Sequence, residues 1–225
     1  MSVRHKLTDI LTRLDAAYDF DGWHWQPDTS PEYICIAAIL VQHTAWENVE
    51  RAIERLRAAG ACSLEAALRR SEEELAGLLR PAGMPLTKAR RLRALALLAE
   101  ACGGLGRLLA LPRDELRERL LATHGIGPET ADAILLYAAG HPVFEVDAYT
   151  VRLFRRLGLG PERDGYATWQ RWFEEALRSD VSTYRRYHAL IVLHGKQTCR
   201  SRPRCRDCCL LEICPTGREA KNVSP

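Results

Sequence analysis

Residues 123–147, THGIGPETADAILLYAAGHPVFEVD, decide how this chain is read. The stretch opens on a Gly-Ile-Gly turn and ends at a lone Asp after an apolar run. Gly125 and Gly127 permit a tight turn with backbone torsions that other residues avoid. Pro128 suits the first position of a helix, where its missing N–H is no loss. Helical spacing then predicts a buried face of Ala131, Ile134, Leu135 and Ala138. Upstream, Leu116, Leu120 and Leu121 form a second amphipathic run. Two helices joined by a Gly-x-Gly turn make a hairpin whose free N–H groups can face a phosphate. Alone, such a turn is as readily structural as functional.

Outward from this stretch, helical periodicity dominates the 225 residues and alternating strands are nearly absent. Near the start, Leu7, Ile10, Leu11 and Leu14 fall at helical spacing, with charges throughout and no small-residue cleavage site. This reads as an amphipathic helix rather than an export signal. Residues 32–41 are almost continuously apolar and suit a buried helix. The next helix, over 48–57, turns Val49, Ile53 and Leu56 inward. Ser63 opens a helix over 64–70, and Ser71 with Glu74 makes a capping box. A long helix spans 87–102 and breaks at Gly103, Gly104 and Gly106. Pro112 and Asp114 restart the chain into the hairpin. Beyond Asp147 the pattern gives a helix to Leu157, a loop to Gly165, a helix over 168–178 and another from Thr183 to His194. From Gly195 little periodicity remains. The fold class is therefore all-α.

The hydrophobic content of 47% is ample for a core, and no run approaches the roughly 18 apolar residues of a membrane span. A cytoplasmic location is the default expectation. The net charge is only +3, but the excess of Lys and Arg is concentrated beyond Val151. That suits a face laid on a phosphate backbone, or an ordinary solvated surface. Eight cysteines fall into two groups. Cys35, Cys62 and Cys102 are scattered in apolar helical stretches and read as core thiols. The others crowd into Cys199-x5-Cys205-x2-Cys208-x5-Cys214, with Cys209 to spare. Four thiolates so spaced point to a metal site before disulfides.

The run from Leu120 through Gly125-Ile126-Gly127, Thr130-Ala131, Ile134-Leu135, Pro142, Val146-Asp147, Arg152 and Arg156 resembles the helix-hairpin-helix and catalytic Asp of the endonuclease III family of DNA glycosylases. The resemblance extends over most of the chain. It implies a base-excision repair enzyme acting on double-stranded DNA with a damaged base, as a monomer and without a membrane partner. It further implies a six-helix barrel domain over residues 25–142, with the hairpin at about 115–138. A second helical domain, residues 1–24 plus 143–225, would hold a 4Fe–4S cluster, and the hairpin would lie at the cleft between the two. The family's first cysteine loop is one residue longer. Cluster ligation by Cys199, Cys205, Cys208 and Cys214 is still the implied reading, with tetrahedral zinc as the alternative. Such a cluster would stiffen the loop bearing Arg200, Arg202, Arg204 and Arg206 and hold their guanidinium groups at phosphates.

The resemblance also assigns roles. Asp147 would stabilise the positive charge that builds on the sugar as the glycosidic bond breaks. A helix N-cap is the other reading of this Asp, and the two are compatible. Glu129 stands where bifunctional members carry a Lys whose amine forms a Schiff base with the sugar. A carboxylate cannot do this, so a monofunctional, water-using enzyme is expected; Lys196 is a weaker stand-in for the amine. Alkylated purines carry positive charge, leave readily and stack well on aromatics. The segments from Trp23 to Pro27 and from Gln42 to Glu50 resemble the 3-methyladenine branch of the family. Trp23, Trp25, His43 and Glu129 are thus the base-pocket candidates, with plain core packing the other reading of the two Trp residues. Gln42 matches the residue that fills the vacancy left by a flipped base, and Met84 stands where the family has a Leu wedge. A buried amide cap and a core Met are the alternatives there. With Gly125, Gly127 and Thr130 these complete the expected DNA-contacting set. Ala38 occupies the place of the adenine glycosylase's catalytic Glu, which argues against repair of adenine–oxoguanine mispairs. Two rivals stay open: an endonuclease III-type enzyme for oxidised pyrimidines with residual lyase activity, and a damage-binding protein with little catalysis.

Overall fold

A computed structural model describes residues 2–18 and 30–223, and every regular element among them is helical. The chain divides into two compact units, residues 25–141 and residues 1–24 with 142–225. Helix α1 (Val3–Ala17) belongs to the second of these. Ser2 caps it by accepting from the His5 N–H, and Leu7, Ile10 and Leu14 are buried.

The unit spanning residues 25–141 is built on α2 (Pro31–Leu40). Ser30 caps this helix, Pro31 sits at its start, and every residue from Tyr33 to Leu40 is buried. A helix apolar on all sides belongs in the middle of a fold. Around it come α3 (Trp46–Ala58), α4 (Leu64–Leu68), α5 (Glu72–Leu79), α6 (Pro85–Ala101), α7 (Leu105–Leu109), α8 (Arg113–Ala122) and α9 (Pro128–Ala133). Ser63 caps α4. Ser71 and Glu74 form the reciprocal capping box on α5, a feature contributing about 1 kcal/mol. Gly106 does not break the chain but lies inside α7; the left-handed torsions are confined to Gly103 and Gly104. Of the three scattered cysteines, Cys35 alone is a core thiol. Cys62 and Cys102 are half-buried and lie outside helices.

In the hairpin, Leu116 and Leu120 of α8 are buried, whereas Leu121 is exposed because one further residue turns it off that face. Beyond α9 the chain widens into a π-helical turn, Ile134–Ala138. Its bonds reach further than α-helical ones, as in Ala139 N–H to Ile134 O at 3.0 Å. The residues from Thr130 to Tyr137 are all buried, while Ala138, expected inside, is half-buried. Asp132, fully buried, takes a bidentate bond from Arg117 at 2.7 and 3.1 Å, which ties α9 to α8.

The other unit continues with α10 (Ala148–Arg156), α11 (Tyr166–Ala176), α12 (Val181–Gln197) and α13 (Pro215–Val223). Phe144 stacks on Phe173 with centroids 4.1 Å apart, and Phe154 and Tyr187 meet that pair edge-on. The Tyr187 hydroxyl donates to Leu7 O at 2.9 Å, and Arg4 donates to Ala176 O, so α1 is fastened to α12 and α11. The cysteine-rich tail is more ordered than its periodicity suggests, with two 3-10 turns (Cys205–Asp207 and Leu211–Ile213) leading into α13. Among the described residues no helix is long and apolar enough to cross a membrane.

Candidate active site

In the unit spanning residues 25–141, three loops are bound together. Gly125 has φ +78°, and a Cβ there would overlap the Arg91 side chain, so glycine is required twice over. Gln42, just after α2, sends its Nε2 to Gly125 O at 3.2 Å and to Thr130 Oγ1 at 2.9 Å. Its Oε1 accepts from Arg91. The amide is thereby engaged at both ends. Lys88 lies on α6 and is fully buried. Its Nζ donates to Leu40 O at 2.7 Å and Ala82 O at 2.6 Å, pinning the turn before α6 to the end of α2. Burial, and then the nearby Arg91, lower its pKa to about 8.

Two of the residues singled out in the sequence have left-handed backbones: His43 at φ 56° and Met84 at φ 44°. They are the only non-glycine residues among those described to do so. Such torsions are strained by about 1–2 kcal/mol each. Both side chains are exposed, Met84 by 44%, so Met84 is not a core residue. Gly127 departs from expectation. Its backbone is ordinary (φ −90°), and a Cβ there would meet nothing within 4 Å. Glu129 lies on the exposed side of α9. Trp23 and Trp25 lie outside the described residues.

In the other unit, Asp147 is the N-cap of α10. Its Oδ1 accepts from Thr150 N–H at 2.7 Å and from Thr150 Oγ1 at 2.8 Å. Its Oδ2 stands 3.7 Å from His188 Nε2. On the far side of that ring, His188 Nδ1 is 3.8 Å from Glu145 Oε2. The side chains of Glu145, His188 and Asp147 are 8, 5 and 11% exposed. Burial pushes the Asp147 pKa up, but His188 and the two Thr150 bonds outweigh it and leave the pKa below its ordinary value. The segment before Asp147 is held by α11. Glu174 accepts from Phe144 N–H at 2.9 Å, and Gln170 donates to Phe144 O at 3.0 Å. Sequence reasoning missed Glu145 and His188. The available signals were an acid between Phe144 and Val146, and a His inside an apolar helical run.

Cys199, Cys205, Cys208 and Cys214 line a single pocket, walled by Leu153, Leu157 and Leu210. An all-thiol donor set with apolar walls fits a thiolate-held metal group. Even so, among the described residues no three His, Cys, Asp or Glu side chains stand in position to hold a metal ion. The thiols have other partners: Cys214 donates to Arg156 O, and Cys208 Sγ is 3.7 Å from His194 Nε2. The backbone of the loop is held by two arginines of α10. Arg152 donates to Cys199 O and Gly195 O at 2.9 and 3.1 Å. Arg156 donates to Arg200 O and Ser201 O at 2.6 and 2.9 Å. Arg200, Arg202 and Arg204 are exposed, as is Lys196.

Residues 36–179 match the family model described as HhH-GPD superfamily base excision DNA repair protein. A protein of Methanocaldococcus jannaschii named as a candidate DNA repair glycosylase is 40% identical over 200 residues, covering 88% of this chain and 90% of that one. Endonuclease III of Treponema pallidum is 32% identical, covering 85% of each chain. Among solved structures, the H. pylori 3-methyladenine DNA glycosylase bound to 1,N6-ethenoadenine superposes with a TM-score of 0.73 at 27% identity, covering 85% of this chain and 97% of that one. An endonuclease III–DNA complex superposes with a TM-score of 0.82 at 23% identity, covering 99% of this chain and all of that one. That likeness establishes the all-α endonuclease III fold.

Proposed function

Because the chain belongs to the HhH-GPD superfamily and is a base excision repair DNA glycosylase of that group, we propose that it releases alkylated purines from duplex DNA by hydrolysis alone. One observation carries this reading. Asp147 is held ionised with one oxygen spent on the helix cap, while the exposed position after Pro128 offers a carboxylate, Glu129, and no amine.

The chemistry follows from those groups. As the glycosidic bond breaks, its electron pair leaves with the base and positive charge develops on the sugar. The Asp147 anion stabilises that charge. A water oxygen then bonds to the sugar carbon and releases one proton to solvent. A cationic alkylpurine departs neutral, so no acid is needed to protonate it. The depressed pKa makes Asp147 a poor general base, which suits an electrostatic role. Gln42, Met84, Gly125, Gly127 and Thr130 are the proposed duplex contacts and His43 a proposed pocket residue; Met84 and His43 stand on strained backbones of the kind that cluster at working sites. Filling the vacancy of a flipped base would require Gln42 to leave its bonds to the hairpin.

Cys199, Cys205, Cys208 and Cys214 are proposed to hold a 4Fe–4S cluster. The all-thiol donor set, at a spacing close to the family's cluster pattern, supports this reading. The cluster would supply a cross-link for the loop carrying Arg200, Arg202 and Arg204, and no electrons for the reaction.

The test is a panel of duplexes carrying either methylated purines or oxidised pyrimidines. Release of methylpurines is expected, with strand breaks seen only after alkali and no adduct trapped by borohydride. A trapped adduct on oxidised pyrimidines would falsify the hydrolytic reading and favour the residual-lyase one.

A further inference from the structure

We propose that His188 is a positioning residue for Asp147, held between that carboxylate and Glu145 as a buried imidazolium that keeps Asp147 charged and aimed. The proposal rests on the reading of Asp147 as the working carboxylate.

The geometry carries it. Glu145 and Asp147 stand two residues apart in the irregular segment before α10, and Asp147 itself has an extended backbone. Both side chains reach the one imidazole that α12 delivers. Both ring nitrogens face a carboxylate oxygen, at 3.8 Å for Nδ1 and 3.7 Å for Nε2. A neutral imidazole would turn a lone pair toward one of the two anions. Only the doubly protonated ring offers a donor to each. Both spans exceed a direct hydrogen bond, so the attraction acts as a Coulomb interaction in a nearly dry site, where it is least screened. Without a countercharge, a carboxyl so deeply buried would take up a proton and lose the charge that the reaction uses.

Several charged groups on the packed elements are engaged elsewhere. Glu174 of α11 receives the Phe144 N–H. Arg152 of α10 is committed to the carbonyls of Gly195 and Cys199. On α1, Asp9 pairs with Arg13. Tyr184 and Tyr187, edge-on to Phe144, are kept neutral by burial.

The experiment follows the Asp147 carboxyl by carbon-13 NMR across pH in the full-length protein and in His188→Gln. The titration should move up by at least about one unit in the variant. The acid limb of methylpurine release from dimethyl-sulfate-treated duplex DNA should move with it. An unchanged Asp147 titration, with release falling equally at all pH, would reduce His188 to a packing residue. If His188→Gln does not fold, Glu145→Gln serves instead. Its His188 ring should titrate at lower pH than in the parent, and an unchanged ring titration overturns the proposal. The NMR readout does not depend on the lesion. A protein that releases no base yet shows the shift sinks the proposed function alone; one that releases base without the shift sinks only this inference.

Discussion

Asp147 divides its two oxygens between two tasks. Oδ1 closes the first turn of α10, and Oδ2 faces the buried histidine. Asparagine caps a helix nearly as well as aspartate. Asp147→Asn should therefore fold and bind a duplex containing an abasic-site analogue, yet lose base release. The same depressed pKa predicts a pH dependence. Its stabilising contribution is complete above the ordinary Asp value of 3.8 and is lost as pH falls through the lower folded value. The stability gap between the parent and Asp147→Asn should close over that acid range in urea titrations. Lys88 behaves oppositely. Its folded pKa of about 8 lies below the ordinary 10.5, so the unfolded chain binds more protons between those values. Stability from this group rises with pH across that window. Lys88→Met should remove that rise and destabilise by about 2 kcal/mol, because two buried carbonyls lose their donor. The helix-cap reading of Asp147 was legible in the sequence because it rests on local chemistry. Lys88 was not, since its burial is set by carbonyls at the end of α2 and in the turn before α6, which no local pattern marks.

At the scale of elements, the hairpin is held by a side-chain clamp and a side-chain lock. The Arg117–Asp132 bond joins α8 to α9. Breaking a buried pair is strongly destabilising, moderated here by the partial exposure of Arg117. Asp132→Ala is expected to lower the unfolding free energy by about 2 kcal/mol or more in denaturant titrations. Gly125→Ala would force a side chain into a left-handed backbone and displace Arg91 from Gln42. Weaker duplex binding is the expected result, read by anisotropy. Caps at Ser63 and Ser71 and the buried α2 could be read from sequence because each rests on local chemistry. The π turn over Ile134–Ala138 could not, for no local pattern in its residues marks the wider turn. Helix α13 was hidden by Gly217 in its interior. That glycine lies close against Leu211, where a Cβ would come within 3.1 Å of Cδ1.

For the whole molecule, periodicity showed that helices exist but not how they group. The two-domain expectation came from the resemblance, because side-chain spacing within one helix carries no information about which distant helix it meets. The cysteine spacing marked the four thiols that share a pocket, yet gave no hint that Arg152 and Arg156 grip the backbone of that loop. Loss of one thiol should be felt beyond the loop. Cys205→Ser is expected to yield colourless protein whose duplex affinity falls and whose salt dependence flattens as phosphate contacts are lost. A brown variant with parental affinity would contradict the cluster assignment.

One unit is assembled from both ends of the described chain, with α1 packed against α11 and α12. During translation, residues 3–17 leave the ribosome well before their partners on α11 and α12. The intervening unit can close while Leu7, Ile10 and Leu14 still face water. A nascent chain stalled before α12 emerges therefore carries an unsheltered greasy stripe, a ready grip for chaperones.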